Sequence, residues 1–374
     1  MIIDYINDSF PPHPGYILKC EIDEHGLSQR ELAAAIGKSA PMVNGILNGS
    51  KDITVEIALL LEAALPGNMK ASDWMRLQND HDIEIKRAEV QRRTETIEKW
   101  NLLRNNSNFN AIKRRLKLGA DFEENISVVM RAMGISTYSE LEAKTRQIAQ
   151  VGFKKSEKVT THFPNLFSWI IIVKYVSRLQ SVGINYNPDL LPELISKLNQ
   201  VFFRNIRVVE KTGELLNQYG IKYIYDEKRL DKVPVDGYSF WIGSNPTIVT
   251  TQRMNRIDNF AFTIMHELGH LYMHLTPNSS NEFIDVDHTI MQVNTQENEA
   301  NAFATQALWS GDTPDEFFAD IPNPYAAAKR LTYISKIKNM HIGIVTGQYQ
   351  YFCERHRLVN NSYAICRDLI SKIG

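Results

Sequence analysis

Cysteine is scarce in these 374 residues: there are three, Cys20, Cys353 and Cys366, and no CxxC pair. That excludes a disulfide framework and a cysteine-rich zinc cluster, and it fits a reducing compartment. Neither sign of charge is in excess, with 42 basic and 43 acidic side chains, so bulk electrostatics assign no partner. Long apolar runs are missing too. The longest, 166–173, falls well short of the roughly 20 residues that a bilayer-spanning helix needs. The opening Met1-Ile2-Ile3-Asp4 does not read as a signal peptide. The expectation is a cytoplasmic protein with no membrane partner. No internal repeat or low-complexity tract is present, and the length suits two or three domains, each with its own core.

What is there begins with His266-Glu267-Leu268-Gly269-His270. Residues four apart on an α-helix lie on one face, so both imidazoles can reach one zinc ion. Glu267, between them, can act on the metal's water. The flanks agree with a buried helix: Phe260, Ala261, Phe262, Ile264 and Met265 lead in, and Leu271, Tyr272, Met273 and Leu275 lead out. A hydrolytic zinc site needs a third protein ligand and one position left for water. The HExxHxxGxxH arrangement is excluded, because Met273 replaces its glycine and Thr276 its last histidine. His274 continues the four-residue series. Eight residues of helix rise about 12 Å, too far for His274 to share an ion with His266, so it reads as a supporting or structural residue.

The third ligand is therefore expected downstream, in the helical run Gln296-Glu297-Asn298-Glu299-Ala300-Asn301-Ala302-Phe303-Ala304. Glu297 and Asn301 share a face, so the carboxylate could bind zinc while the amide steadies a ligand histidine. Glu299 is the alternative ligand, and Asp285, Asp287 and His288 in a loop are weaker ones. Upstream, 235–242 and 247–251 are β-rich runs separated by Gly243-Ser244-Asn245-Pro246, a hairpin signal. Such a strand edge beside a zinc site could pair with an extended peptide, or the hairpin could simply cover the helix. Strands are also expected at 202–209 and 220–225, ahead of the metal helix. Residues 80–106 are highly charged, without Gly or Pro, and read as a solvated helical connector with a hinge at 105–108. Most of 109–205 reads as helix.

The first eighty residues carry a second pattern. Ser28 followed by Glu31 is a capping box opening a helix that Gly37 stops. Ser39 is expected to cap a second short helix, 40–48, ended by Gly49. Ala33, Ile36, Val43, Ile46 and Leu47 would form the small core between them, and 53–65 a supporting helix. This is a helix-turn-helix layout, whose second helix enters the major groove of DNA. The residues placed to meet DNA are Gln29, Lys38, Ser39, Ala40, Met42, Asn44 and Asn48. Up to Asp80 the chain has 6 basic and 11 acidic residues. An acidic module is an unusual DNA binder, unless a dimer gathers Arg30, Lys38 and Lys51 onto one face.

These residues resemble known families. His13-Pro14-Gly15-Tyr16-Ile17-Leu18, Leu27-Ser28-Gln29-Arg30-Glu31-Leu32-Ala33, Ile46-Leu47-Asn48-Gly49 and Ile53-Thr54 are similar to the XRE-type regulators, and more closely to HigA-like antitoxins. Val235-Asp236-Gly237, His266-Glu267-Leu268-Gly269-His270-Leu271 and the run from Glu297 to Ala304 resemble the ImmA/IrrE zinc metallopeptidases. The resemblance covers roughly 10–80 and 200–310. It implies zinc on His266, His270 and Glu297, with Glu267 as catalytic base. It also departs from the pattern: Gln306-Ala307-Leu308-Trp309-Ser310 replaces the usual apolar ending, and the recognition helix has Gly45 and no arginine.

The expected fold is mainly α with a small β-sheet. It divides into an all-α helix-turn-helix domain (1–80), a helical connector and helical region (81–200), and an α+β zincin-like metallopeptidase domain with C-terminal helices (201–374). The expected function is a homodimeric DNA-binding regulator whose zinc endopeptidase cleaves a repressor or antitoxin. Tyr272, His274, Tyr325 and His341 are the candidate second oxyanion donors. The alternatives are a non-catalytic HigA-like antitoxin or autorepressor with a structural or vestigial zinc site, and a first module that docks protein substrates.

Overall fold

The computed structural model describes residues 12–65, 67, 69–154, 162–228, 230–253, 255–277, 282–285 and 295–374. The chain divides into two compact units, Met1–Glu98 and Lys99–Gly374.

The first unit is all helical: α1 (Pro14–Glu24), α2 (Gln29–Ala35), α3 (Ala40–Leu47), α4 (Val55–Ala64) and the first part of α5 (Ala71–Asn106). Local chemistry sets each boundary. Ser28 and Glu31 form the capping box that starts α2, and Gly37, at φ +65°, lets the chain turn after it. Thr54 caps α4 by accepting from the Ile57 amide. Ser39 precedes α3, but its hydroxyl makes no capping bond, and Pro41 in the first turn pre-sets the backbone instead. Leu32, Ala33, Ile36, Val43 and Ile46 are buried with Leu18, Ile57, Leu61 and Trp74, while Leu47 is half-buried. Gly15 admits the start of α1 against the end of α3, since a Cβ there would lie 1.8 Å from the Ile46 carbonyl oxygen.

The second unit is built on one mixed sheet: β1 (Lys222–Asp226), β2 (Gly237–Ile242), β3 (Asn245–Thr251) and β4 (Glu282–Asp285), in the order β1-β3-β2-β4. β1 runs parallel to β3, and the other pairings are antiparallel. Successive residues alternate between two cores. Ile224, Tyr238, Phe240 and Val249 pack with α9 (Phe163–Leu179), behind which lie α6 (Phe109–Leu116), α7 (Phe122–Met133) and α8 (Tyr138–Lys154). Tyr223 and Ile248 face the other core, made by α10 (Leu191–Arg204), α11 (Val208–Gln218), α12 (Ile257–Met273) and α13 (Thr295–Leu308). That core is closed by α14 (Pro314–Phe318), α15 (Ala328–Lys338) and α16 (Ile342–Arg355).

Two strand expectations are corrected. Residues 202–209 are not a strand. Leu191, Leu194, Leu198 and Phe202 are buried at helical spacing along α10, which ends where Asn205 and Arg207 adopt positive φ before α11 begins. The turn between β2 and β3 is only Gly243-Ser244, so Asn245 and Pro246 belong to β3, and Asn245 Nδ2 donates to the carbonyls of Ile184 and Gly220. The expected hinge at 105–108 is a helix junction in which Asn108 caps α6 and donates to Asn165 Oδ1.

β4 is held by charge. Glu282, a half-buried residue whose side chain is 6 % exposed, takes ion pairs from Lys144 of α8 and Lys174 of α9, and accepts from the Tyr238 hydroxyl. Burial pushes the Lys144 ammonium down to about 8 and holds Lys174 well below its ordinary value. Glu282→Ala strips both lysines of their counter-charge, an expected loss of about 3–5 kcal/mol in urea unfolding. A lysine whose pKa is depressed on folding binds its proton more tightly in the unfolded chain. Without the carboxylate both lysines lose their protons more readily in the folded state, so the variant's stability should climb as pH rises toward about 10.4, a rise readable in the same unfolding series.

Candidate metal centre and helix-turn-helix surface

α12 is buried almost all round, as its apolar sequence requires, and His266, Glu267 and His270 are each 0 % exposed. Gly269 sets the approach of α13. A Cβ there would meet the Phe303 ring at 3.1 Å and the Ala300 backbone at 3.2 Å, so the two helices touch through a glycine and an alanine. This close crossing brings Glu297 to the histidines. Glu297 Oε2 lies 3.3 Å from His266 Nε2 and 3.6 Å from His270 Nε2, and the two nitrogens are 3.0 Å apart. A tetrahedral ion with bonds near 2 Å has ligand–ligand edges of about 3.3 Å, so the triad has the right dimensions.

The partners of the triad test whether a metal fits. His266 Nδ1–H donates to Asn301 Oδ1 at 2.9 Å, which leaves the Nε2 lone pair directed into the triad. Electron-rich atoms packed this closely repel unless a cation lies among them. Two imidazoles and a carboxylate are a zinc-type donor set. Burial lowers the pKa of His270, outweighing the upward pull of Glu297, which favours the neutral ring that can ligate.

Glu267 points beneath the triad at β2. A Cβ on Gly237 would come within 2.2 Å of its Oε1, so only glycine admits the carboxylate there, and Thr263 flanks the same place. Its charge also raises the pKa of the buried Tyr238, beyond what burial does. The Phe283 ring of β4 stacks on His270 at 4.2 Å and 11°. Nothing in the sequence signals Phe283. Gly269 does carry a signal, because an interior helical glycine costs about 1 kcal/mol against alanine and so needs a reason.

Glu299 is not in the triad; it bonds His274 Nε2 at 2.8 Å, and His274 Nδ1 lies 3.0 Å from His270 Nδ1. Asp287 and His288 lie outside the described residues, as does the side chain of Asp285. Of the oxyanion candidates, Tyr272 and His341 line a cavity of about 660 Å³ with Phe303, on a different face of α12 from the triad. His341 caps α16 there by accepting from Gly343, and Tyr325 is 66 % exposed on a surface turn. Among the described residues β2 and β3 are interior strands, so the sheet edge near the triad is β4 rather than the hairpin.

In the first unit, Ser39, Ala40, Asn44 and Asn48 are exposed along α3, with Gln29 exposed on α2. Met42 is half-buried beneath Lys51, whose Nζ lies 3.4 Å from its sulfur. Lys38, also half-buried, is paired with Glu56 at 2.7 Å.

A helix-turn-helix and a zincin-like His, His, Glu centre in one chain define a regulator-type protein with a metallopeptidase-type domain. Comparison with known proteins gives the families. The chain belongs to the XRE-type helix-turn-helix family, whose Helix-turn-helix profile matches 20–69, and it carries an IrrE N-terminal-like domain, of a peptidase family, at 217–331. Virulence-associated protein A' of Dichelobacter nodosus is 32% identical over 73 residues, 20% of this chain, and the chain covers 63% of that protein's length. Virulence-associated protein A of the same organism is 36% identical over 69 residues, 18% of this chain and 67% of that protein. The Pseudomonas aeruginosa antitoxin HigA, solved with the higBA promoter, is 32% identical over 23% of this chain and 91% of that one, with a TM-score of 0.21. No helix among the described residues is long and apolar enough to cross a membrane.

Asn301→Ala removes the acceptor that orients His266. Zinc affinity of the full chain, measured by chelator competition, should fall about 10- to 100-fold while its thermal melt in EDTA moves little.

Proposed function

We propose that this protein is a DNA-binding regulator carrying a zinc-dependent endopeptidase that acts on a partner protein of the repressor or antitoxin class. The observation that carries the peptidase reading is the convergence of His266, His270 and Glu297, with the buried Glu267 seated on Gly237 beside them. A purely structural site has no use for that extra carboxylate.

Zinc held there supplies Lewis acidity toward water and a scissile carbonyl. Glu267 takes the proton of the attacking water and returns it to the leaving amine. Its burial excludes competing solvent. Asn301 keeps the lone pair of His266 aimed inward, and Phe283 holds the plane of His270. A cavity of about 500 Å³ starts at Asn301 and Phe262 and continues past Arg256, Asp258 and Tyr351. Its mixed polar and aromatic lining suits a polypeptide, and the short edge strand β4 offers backbone groups to an extended segment.

DNA binding is supported by the helix-turn-helix family match and by the exposed polar face of α3. The protein would act as a homodimer on a two-fold operator. A second reading, in which this module docks protein substrates, is favoured by the acidic excess and by Glu56 neutralising Lys38.

Glu267→Gln should cut peptide cleavage by at least about 100-fold with zinc retained, judged by metal analysis together with mass spectrometry of products in cells expressing each form. Undiminished cleavage by a pure, zinc-loaded variant would remove Glu267 from the mechanism. On promoter DNA of its own operon, anisotropy titrations should give a shallow salt slope, each phosphate contact contributing about 0.9 to it. Asn44→Ala should then weaken the specific site by about 1–3 kcal/mol. No binding at 50 mM salt to that promoter leaves the docking reading standing.

A further inference from the structure

His274 and Glu299 lie outside the triad yet are chained to it. His274 ends α12, four residues after His270, with its side chain 6 % exposed. Glu299 sits on α13, half-exposed, with Oε2 2.8 Å from His274 Nε2. The next link is the 3.0 Å contact between His274 Nδ1 and His270 Nδ1.

For neutral imidazoles, the acceptor at Glu299 sets the direction of the chain. A carboxylate only accepts, so the His274 Nε2 that meets Glu299 carries the hydrogen. A neutral imidazole has one N–H, so His274 Nδ1 is then an acceptor. The nitrogen facing it, His270 Nδ1, must donate. His270 therefore holds its proton on the side away from the triad and presents a bare Nε2 to His266 and Glu297. Asn301 imposes the same tautomer on His266 directly. His270 reaches its acceptor through one more ring. Phe283 stacks on His270 and also borders the His274 ring, 5.4 Å away and tilted by 43°.

We propose that Glu299 and His274 are positioning residues: a carboxylate–histidine relay that sets the tautomer and aim of His270, and through it the strength of the metal site, without touching the ion. This rests on the zinc reading above, and it assigns a role to the second glutamate of α13.

The test uses the full chain and zinc alone. Affinity is read by chelator competition, and the proton position on His270 by long-range ¹H–¹⁵N correlation of the metal-free protein. Wild type should show His270 protonated at Nδ1. His274→Ala and Glu299→Ala should bind zinc about 10- to 100-fold more weakly, and Glu299→Ala should give His270 a mixed tautomer. Glu299→Gln should restore both readouts, because its amide oxygen still accepts from His274 Nε2. Glu299 is exposed enough that its variants should fold, which their melting curves check. A simple packing role would shift the melt and leave the tautomer unmoved. The relay is overturned if His270 in wild type carries its proton on Nε2, or if both alanine variants bind zinc as wild type does. Wild type binding zinc no better than a His266→Ala, His270→Ala double variant would instead strike at the metal centre itself.

Discussion

The site depends on how closely α13 can approach α12. Two imidazoles on one helix can be arranged by spacing alone, but the carboxylate comes from a helix about 30 residues later and must arrive within hydrogen-bonding range. Gly269 against Ala300 makes that approach sterically open. Everything that follows uses it: Glu297 reaches both Nε2 atoms, Asn301 reaches the back of His266, and Glu299 reaches His274. Three side chains of one short helix thus act on three histidines of another, and the register between the helices decides which meets which.

Much of this was legible in the sequence, for definable reasons. The i, i+4 histidines and the shared face of Glu297 and Asn301 are consequences of helical period, and Ser28 with Glu31 announces its cap by spacing. Contacts between distant elements carry no such period. Phe283 stacks on His270 from a four-residue strand too short to show alternation. The misread 202–209 has a cause of the same kind. β-branched and aromatic residues there straddle a helix–helix junction in which Asn205 and Arg207 take positive φ, and propensity alone resembles a strand. The role of Glu299 needed coordinates, since only the position of His274 shows what it binds.

The helix-turn-helix illustrates how fold and function separate. Its caps, its core of Val43 and Ile46 against Ala33 and Ile36, and the seat of Gly15 all follow from local rules and packing. What α3 reads is set by a few exposed, mainly uncharged side chains, and the flanking Lys38 spends its charge on Glu56. In the proposed DNA complex, such a surface would leave sequence discrimination to short-range contacts, because phosphate attraction would contribute little.

The contact between Gly237 and Glu267 has an evolutionary consequence. A strand residue normally tolerates many side chains, but here any β-carbon displaces the buried acid, so the two positions are locked to one another across 30 residues. Once a lineage no longer uses the acid, that lock opens and the strand position is free to drift. On the proposed peptidase reading, relatives that keep both histidines yet carry a larger residue at the glycine position would be descendants that hold metal without cutting, a distinction their histidines alone could never reveal.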